Sequence, residues 1–469
     1  MYSESLKIRQ DTNDSYGEAI TLNNIGLLLR KTGDISQGIE KLQSSLAIFR
    51  RIGDPVNEGN TLDSLGSLYK DKGSFLEAER AYQQALILLR DSGSYPIERV
   101  VLQNLGVLFE DKRSLDLAIS FYKQSINLTE DIRKDLRSLP LDAQSSYTRK
   151  VSDTYRRLAD LLIKKGRIGE AQQVLELLKI QEINDITEGT RSATPTAQIA
   201  LSQLEQDIIA QYNSLIDFGQ KLADCEQTRC DKLGEYQTQY TALTQAYDRF
   251  LEDTKTNLTA ARATEIDAGT KTFLANADRI ITAQPNTALI YPLVLEDKVR
   301  ILWATKGGAL NQAECPLGEA ELSGLVETFR TALQTTSTAT PVQQAGKKLY
   351  DCLIPPKLQA VLNNSRIDNL IFVPDRITNY IPMAALHDGQ QYLIERYSLS
   401  NILAASFTDT DSRLPSEPSI LGFGSPKPSP STIPPAPTAP SPSSPKNSTP
   451  SSNATAATTN AASSPAKSC

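Results

Sequence analysis

The chain has 469 residues, with 49 Lys+Arg against 55 Asp+Glu for a net charge of −6, and 39% hydrophobic residues. That length has room for roughly two to four domains, while the mildly acidic balance argues against nucleic acid, which needs clustered Lys and Arg. No apolar run reaches the ~20 residues of a membrane span, so no membrane partner is expected. The chain then opens on a repeat. Ile25-Gly26, Leu65-Gly66 and Leu105-Gly106 are two steps of 40 apart, and the same register pairs Leu22, Leu62 and Leu102. It also pairs Leu29, Tyr69 and Phe109; Gly38, Ala78 and Ala118; Leu42, Tyr82 and Tyr122; and Ser45, Ala85 and Ser125. Small residues recur where two helices approach and large apolar ones where they interdigitate. Turn segments at Lys31–Asp34, Asp71–Ser74 and Asp111–Ser114 separate them. Each unit is therefore a helix pair that buries its apolar face only by stacking on its neighbours.

These positions resemble the tetratricopeptide repeat in its longer, kinesin-light-chain-like form. Ser5–Ile8 stands 40 before Ser45–Ile48, so the chain is expected to begin within the second helix of a unit. A fourth copy carries Tyr155, Leu158, Ala159, Leu162, Ala171, Leu175 and Leu178, and lies 53 rather than 40 beyond the third. The additional residues predict lengthened helices around Asp131–Arg149. The resemblance implies an α-solenoid over 1–186 whose first helices line a groove for a protein or peptide partner. Mapped onto the register, that groove is Asn23, Asn24, Leu27, Arg30 and Lys31; then Asp63, Ser64, Ser67, Lys70 and Asp71; then Gln103, Asn104, Val107, Glu110 and Asp111. Asn and Gln side chains can hydrogen-bond an extended backbone in either direction. Charge runs from basic in the first unit to acidic in the third, which suits a partner with some basic character. The alternative is a groove filled by later segments of the same chain.

Residues 187–285 read as a helical connector. Leu201, Leu204, Ile208, Tyr212, Leu215 and Phe218 form one apolar stripe, and Leu233, Tyr236, Tyr240, Leu243, Tyr247 and Leu251 a second. Two such helices pack as an antiparallel pair or short coiled coil. The five cysteines, Cys225, Cys230, Cys315, Cys352 and Cys469, match no zinc or disulfide framework. Cys225 and Cys230 would stand about 140° apart on a continuous helix. Inert thiols in a reducing cytoplasm are expected, and no metal or cofactor.

At Asn286 the pattern changes to α/β. Thr287–Leu295 and Val299–Ala304 predict a hairpin, Leu317–Leu333 and Val342–Asn363 helices, and Leu370–Pro374, Tyr392–Ser400 and Ile420–Gly424 strands. Ala288–Ala304, Gly346–Pro356, Leu370–Pro374, Ile381–Gly389 and Tyr392–Tyr397 resemble the opening half of a CHAT domain, the caspase-like module that follows such repeats in cyanobacterial-type proteins. The resemblance implies a cysteine-peptidase ancestry in which a thiolate attacks a peptide carbonyl while His manages the protons. The stretches expected to carry that His and Cys have no match here. His387 belongs to an earlier motif and Cys352 to a helix, so no catalytic residue is expected. An incomplete sheet would leave an unpaired edge and an uncovered face.

Residues 425–469 hold three Lys, no Asp or Glu and few large apolar side chains, which predicts a disordered tail. The fold class expected is thus a mainly α chain, solenoid plus connector, followed by a partial α/β segment over 286–424 and this tail. The function expected is a non-catalytic, cytoplasmic interaction scaffold, able to self-associate through the exposed half-repeat or the sheet edge. The alternative is a peptidase relative whose catalytic half is supplied by another chain or lost by truncation.

Overall fold

The structure, a computed structural model, describes residues 2–136, 140–184, 198–257, 277–284, 286–306, 311–335, 338–405 and 408. Helix α1 (Tyr2–Asp11) precedes four helix pairs. These are α2 (Ser15–Thr32) with α3 (Ile35–Ile52), α4 (Pro55–Asp71) with α5 (Phe75–Asp91), α6 (Tyr95–Asp111) with α7 (Leu115–Leu136), and α8 (Leu141–Lys164) with α9 (Ile168–Asn184). The repeated small residues set the spacing within each pair. A Cβ on Gly26 would stand 2.7 Å from Leu42, on Gly66 2.6 Å from Tyr82, and on Gly106 2.7 Å from Tyr122. The hydroxyls of Ser45 and Ser125 donate to the Ala19 and Arg99 carbonyls at 2.8 and 2.9 Å, tying second helix to first.

The turns close as their residues dictate. Asp14, Asp34 and Asp54 cap α2, α3 and α4 by accepting main-chain N–H groups. Gly33 and Gly73 adopt φ of 89° and 83° at equivalent positions, where Arg113 holds φ 58° in the third unit. A residue with a Cβ costs roughly 1–2 kcal/mol in that left-handed conformation. The residues added before the fourth unit do lengthen helices: α7 has 22 residues and α8 has 24.

The connector contains α10 (Gln203–Thr228) and α11 (Leu233–Asn257), which pack on each other as a hairpin. The predicted stripe is its seam. Ile208, Tyr212 and Leu215 are buried, and Tyr212 meets Phe121 at 4.8 Å and Tyr247 at 5.5 Å between ring centroids. On the repeat side, helix α10 packs on α5 and α7, the second helices of their units. Its start is pinned to the repeats by Lys123, whose fully buried ammonium donates to Glu170 at 2.8 Å, Glu205 at 2.9 Å and the Ala200 carbonyl at 2.8 Å.

A helical stretch, α12 (277–283), leads into a five-stranded sheet. The strands are β1 (Thr287–Val294), β2 (Val299–Thr305), β3 (Asn311–Cys315), β4 (Asn369–Phe372) and β5 (Ser398–Asn401), in the order β3-β2-β1-β4-β5. The β1–β2 and β2–β3 pairs are antiparallel; β1–β4 and β4–β5 are parallel. Alternate residues of β1 serve different cores, as a pleat requires. Ala288, Ile290 and Val294 pack with Trp303, Phe372 and apolar side chains of α13 (Glu319–Thr335), α14 (Ala339–Leu353) and α15 (Pro356–Asn364). Leu289, Tyr291 and Leu293 join the cluster that runs through the repeats, together with Ile280 and Ile281 of α12. The face expected to lie uncovered is therefore covered by the chain's own helices. At one edge is β5, short and polar.

The helical pattern over Val342–Asn363 forms two helices, because Pro355 and Pro356 interrupt the ladder of amide donors. Two expectations are corrected. Tyr392–Ser400 is not one strand: Glu395 accepts from the Tyr392 N–H to cap a one-turn helix, α16 (Leu393–Arg396), and only Ser398–Asn401 extends. The cysteines pair. Disulfides join Cys225 to Cys230 and Cys315 to Cys352, with Cα separations of 4.9 and 5.2 Å. The helical angle between Cys225 and Cys230 was irrelevant because α10 ends at Thr228 and Arg229, at φ 52°, folds the chain back. Disulfides persist in oxidising compartments, so the pairing removes the ground for inferring a reducing cytoplasm. The expected strand Ile420–Gly424 and the tail 425–469 lie outside the described residues, as do residues 185–197 and 258–276.

Candidate partner-binding groove

Helices α2, α4 and α6 are neighbours in space, so their groove positions form one surface. Its first regularity is a step of 41. Arg30 Nε donates to Asp71 at 2.5 Å, Lys70 Nζ to Asp111 at 3.3 Å, and Asn104 Nδ2 to Asp63 at 2.8 Å, each crossing from one first helix to the next. Such partly exposed pairs contribute about 0–1 kcal/mol each, but in series they fix the register of the units. Asp71 is opposed by burial, yet hydrogen bonds from Arg30 and Lys70 outweigh it and hold its carboxyl below the ordinary value.

The predicted residues divide by access. Asn24, Leu27, Arg30, Lys70, Gln103, Asn104, Val107 and Glu110 are half-buried and Lys31 is exposed. Asn23, Asp63, Ser64 and Ser67 are buried. Ser64 turns back to the Asn60 carbonyl and Ser67 meets the Tyr82 hydroxyl, so both serve the fold. Asn23 Oδ1 is buried with no hydrogen-bond partner, an acceptor that costs free energy until something donates to it. Gln103 accepts from Arg99 and Glu110 from the Tyr122 hydroxyl.

Burial pushes the Asp63 carboxyl up to about 6, against the hydrogen bond from Asn104 and the charges of Arg30 and Arg99. The folded value lies above the unfolded value near 4, so burying the charged form destabilises the fold above pH 6. That cost is relieved as pH falls through the window from 6 to about 4. Asp63→Asn is therefore expected to be more stable than wild type by about 1–3 kcal/mol at neutral pH, with the gain vanishing near pH 4. Denaturation midpoints measured across that range check it, and a pH-independent difference would refute it.

The fourth unit held groove positions that were not anticipated. Adding 53 to Gln103, Asn104 and Val107 gives Arg156, Arg157 and Asp160, and these meet the sheet. Arg156 donates to both carboxylate oxygens of Asp375, at 2.8 and 3.2 Å, and to Glu182. Asp160 accepts from Arg300 at 2.8 Å. Arg157 lies 3.7 Å from Glu110 and 4.0 Å from Glu296 in the β1–β2 turn. The chain's own later segment thus fills the groove at the fourth unit, and α8, the β1–β2 turn and Arg376 enclose a cleft of about 670 Å³ that Glu110 joins to the open groove.

The residues weighed for catalysis lie apart from this surface. His387 is buried, accepts the Gly389 N–H on Nδ1 and packs edge-on against Tyr392. Cys352 is bonded to Cys315. Among the described residues there is no group of three or more His, Cys, Asp or Glu that could hold a metal ion, and no helix long and apolar enough to cross a membrane.

Paired helices in a 40-residue register, followed by a mixed sheet flanked by helices, define a helical-repeat protein with an appended α/β module. Comparison with protein families specifies both parts: residues 17–91 and 57–131 match the tetratricopeptide repeat, and 343–459 match the CHAT domain. The chain therefore contains tetratricopeptide repeats and a match to the CHAT domain, a peptidase-related module. The CHAT match begins within α14 and runs into the tail, whereas the resemblance in the sequence begins at β1. No curated protein matches the chain.

Proposed function

We propose that the protein is an interaction scaffold: the first helices of its repeats bind an extended segment of a partner protein, and the CHAT domain positions that partner without itself cutting peptide bonds. The observation that carries this is the polar row on α2, α4 and α6, in which Asn24, Gln103 and Asn104 are half-buried and reach the surface. Main-chain hydrogen bonds from such a row give affinity, and local charge selects the partner. The bonding of Cys352 and the engagement of His387 Nδ1 favour the non-catalytic half of the reading. Affinity capture is the test. Asn24→Ala/Asn104→Ala is expected to weaken partner capture by about tenfold or more, at roughly 1 kcal/mol per lost hydrogen bond, with helical circular dichroism unchanged. Undiminished capture would place the binding surface elsewhere.

The CHAT match favours a second reading, a peptidase relative whose catalytic residues come from another chain. Turnover of a peptide substrate by the isolated protein would overturn the scaffold reading.

A further inference from the structure

We propose that the Cys225–Cys230 disulfide is a reversible redox switch, and that opening it releases the first half of α11 from α10. The two helices are not held alike. Helix α10 is fixed to the repeats along its length: Glu205 accepts from Lys123 at 2.9 Å, Asn213 accepts from Arg90 at 2.9 Å, and Gln220 donates to Asp91 at 2.8 Å. Helix α11 has no buried residue before Tyr247. Its first half meets α10 through the Phe218 and Tyr236 rings, 5.6 Å apart, and through Tyr240, 3.2 Å from where a Cβ on Gly219 would stand. A segment that buries so little opens at the low end of the stability range. The turn between the helices is what closes it. Arg229 sits there at φ 52°, a left-handed conformation that a residue with a side chain disfavours, and the disulfide spans it with 4.9 Å between Cα atoms. The crosslink thus holds a backbone that would otherwise relax, at the point where the less buried helix begins.

The second disulfide is built differently. Cys315 and Cys352 are 5% and 3% exposed within the core of the sheet and its helices, and they close a span of 37 positions. Cys225 is 4% exposed, but Cys230 is half-buried in the turn, and their span is 5 positions. A reductant therefore reaches Cys230 first, and a short loop gives a crosslink less entropic support than a long one. Opening is thiol–disulfide exchange with a dithiol. One thiolate of the dithiol attacks Cys230 Sγ, and Cys225 Sγ leaves and takes a proton. The second thiol then expels Cys230 as its own two sulfurs join, so the protein gains the two electrons and two protons that the dithiol loses. With Glu226–Arg229 alone between them, the freed thiols stay neighbours, and a disulfide oxidant recloses the pair by the reverse steps.

The test uses the full chain, graded dithiothreitol, alkylation of the freed thiols with peptide mass spectrometry, and hydrogen exchange. Cys225–Cys230 is expected to open at about tenfold less dithiothreitol than Cys315–Cys352. At that point residues 231–246 should exchange about tenfold faster while 203–220 keep their protection, and oxidised dithiothreitol should restore the slow rate. Cys225→Ser/Cys230→Ser should show the fast rate with or without reductant. Opening of both pairs together, unchanged exchange over 231–246 in the reduced wild type, or exchange that stays fast after reoxidation overturns the proposal. So does equal loss of protection in both helices, which would make the disulfide a support of the whole hairpin.

Discussion

Replacing Arg156 with alanine is expected to destabilise the sheet's attachment to the repeats by about 3–5 kcal/mol, the typical cost of removing one partner of a buried ion pair. Its guanidinium is 4% exposed and Asp375 7% exposed, and they share a bidentate contact. Without Arg156 the buried carboxylate keeps the Val294 N–H and a 3.7 Å contact to Lys179 but loses its bidentate cation. Trp303, the chain's one tryptophan, lies buried in the adjoining core, so its fluorescence follows this event directly. Arg156→Met/Asp375→Leu should recover much of the loss, since a well-packed apolar pair is often no worse than a buried ionic one. Equal losses in the single and double variants would mean that packing rather than charge holds the junction. The pH dependence has a definite sign. Burial opposes Asp375, but Arg156 outweighs it and keeps the carboxyl below its ordinary value. The stabilisation is therefore complete above the unfolded value, near pH 4, and is lost as pH falls through the lower folded value. In Arg156→Ala that acid-side loss should be smaller.

Lys123→Met is expected to release the connector, again at about 3–5 kcal/mol. Glu205 is 1% exposed and Glu170 13%, and the methionine leaves both to Arg167 alone. Because Glu205 also caps the start of α10, the Ser202 N–H loses a well-placed acceptor as the carboxylate reorients. Hydrogen exchange should show residues 203–257 losing protection while α2 to α4 keep theirs. Uniform loss across the array would show that Lys123 supports the repeat stack itself.

Much of this was legible because repeat helices are specified locally. Gly66 faces Tyr82, and Gly106 faces Tyr122, within a single unit, so the step of 40 carried both the residues and their contact. The ladder was not legible, because a step of 41 joins different helices and depends on how units stack. Arg156 and Arg157 were in reach of the 53-residue offset, but their meaning lay in Asp375 and Glu296, more than a hundred positions further on. Strand β3 escaped notice since Asn311–Glu314 is polar and mostly solvent-facing, with only Cys315 buried. The cysteine pairing depended on a helix end and on a strand meeting a helix 37 positions away, which no periodicity encodes.

Because one pleat of β1 is interlocked with the tetratricopeptide stack, the two modules cannot be exchanged like beads on a string. The sheet transplanted onto foreign repeats would bring Leu289, Tyr291 and Leu293 to a surface not shaped to receive them. Divergence on one side must therefore be matched by compensating change on the other, and lineages that shuffle these parts should carry α8, α9 and β1 together as one heritable block.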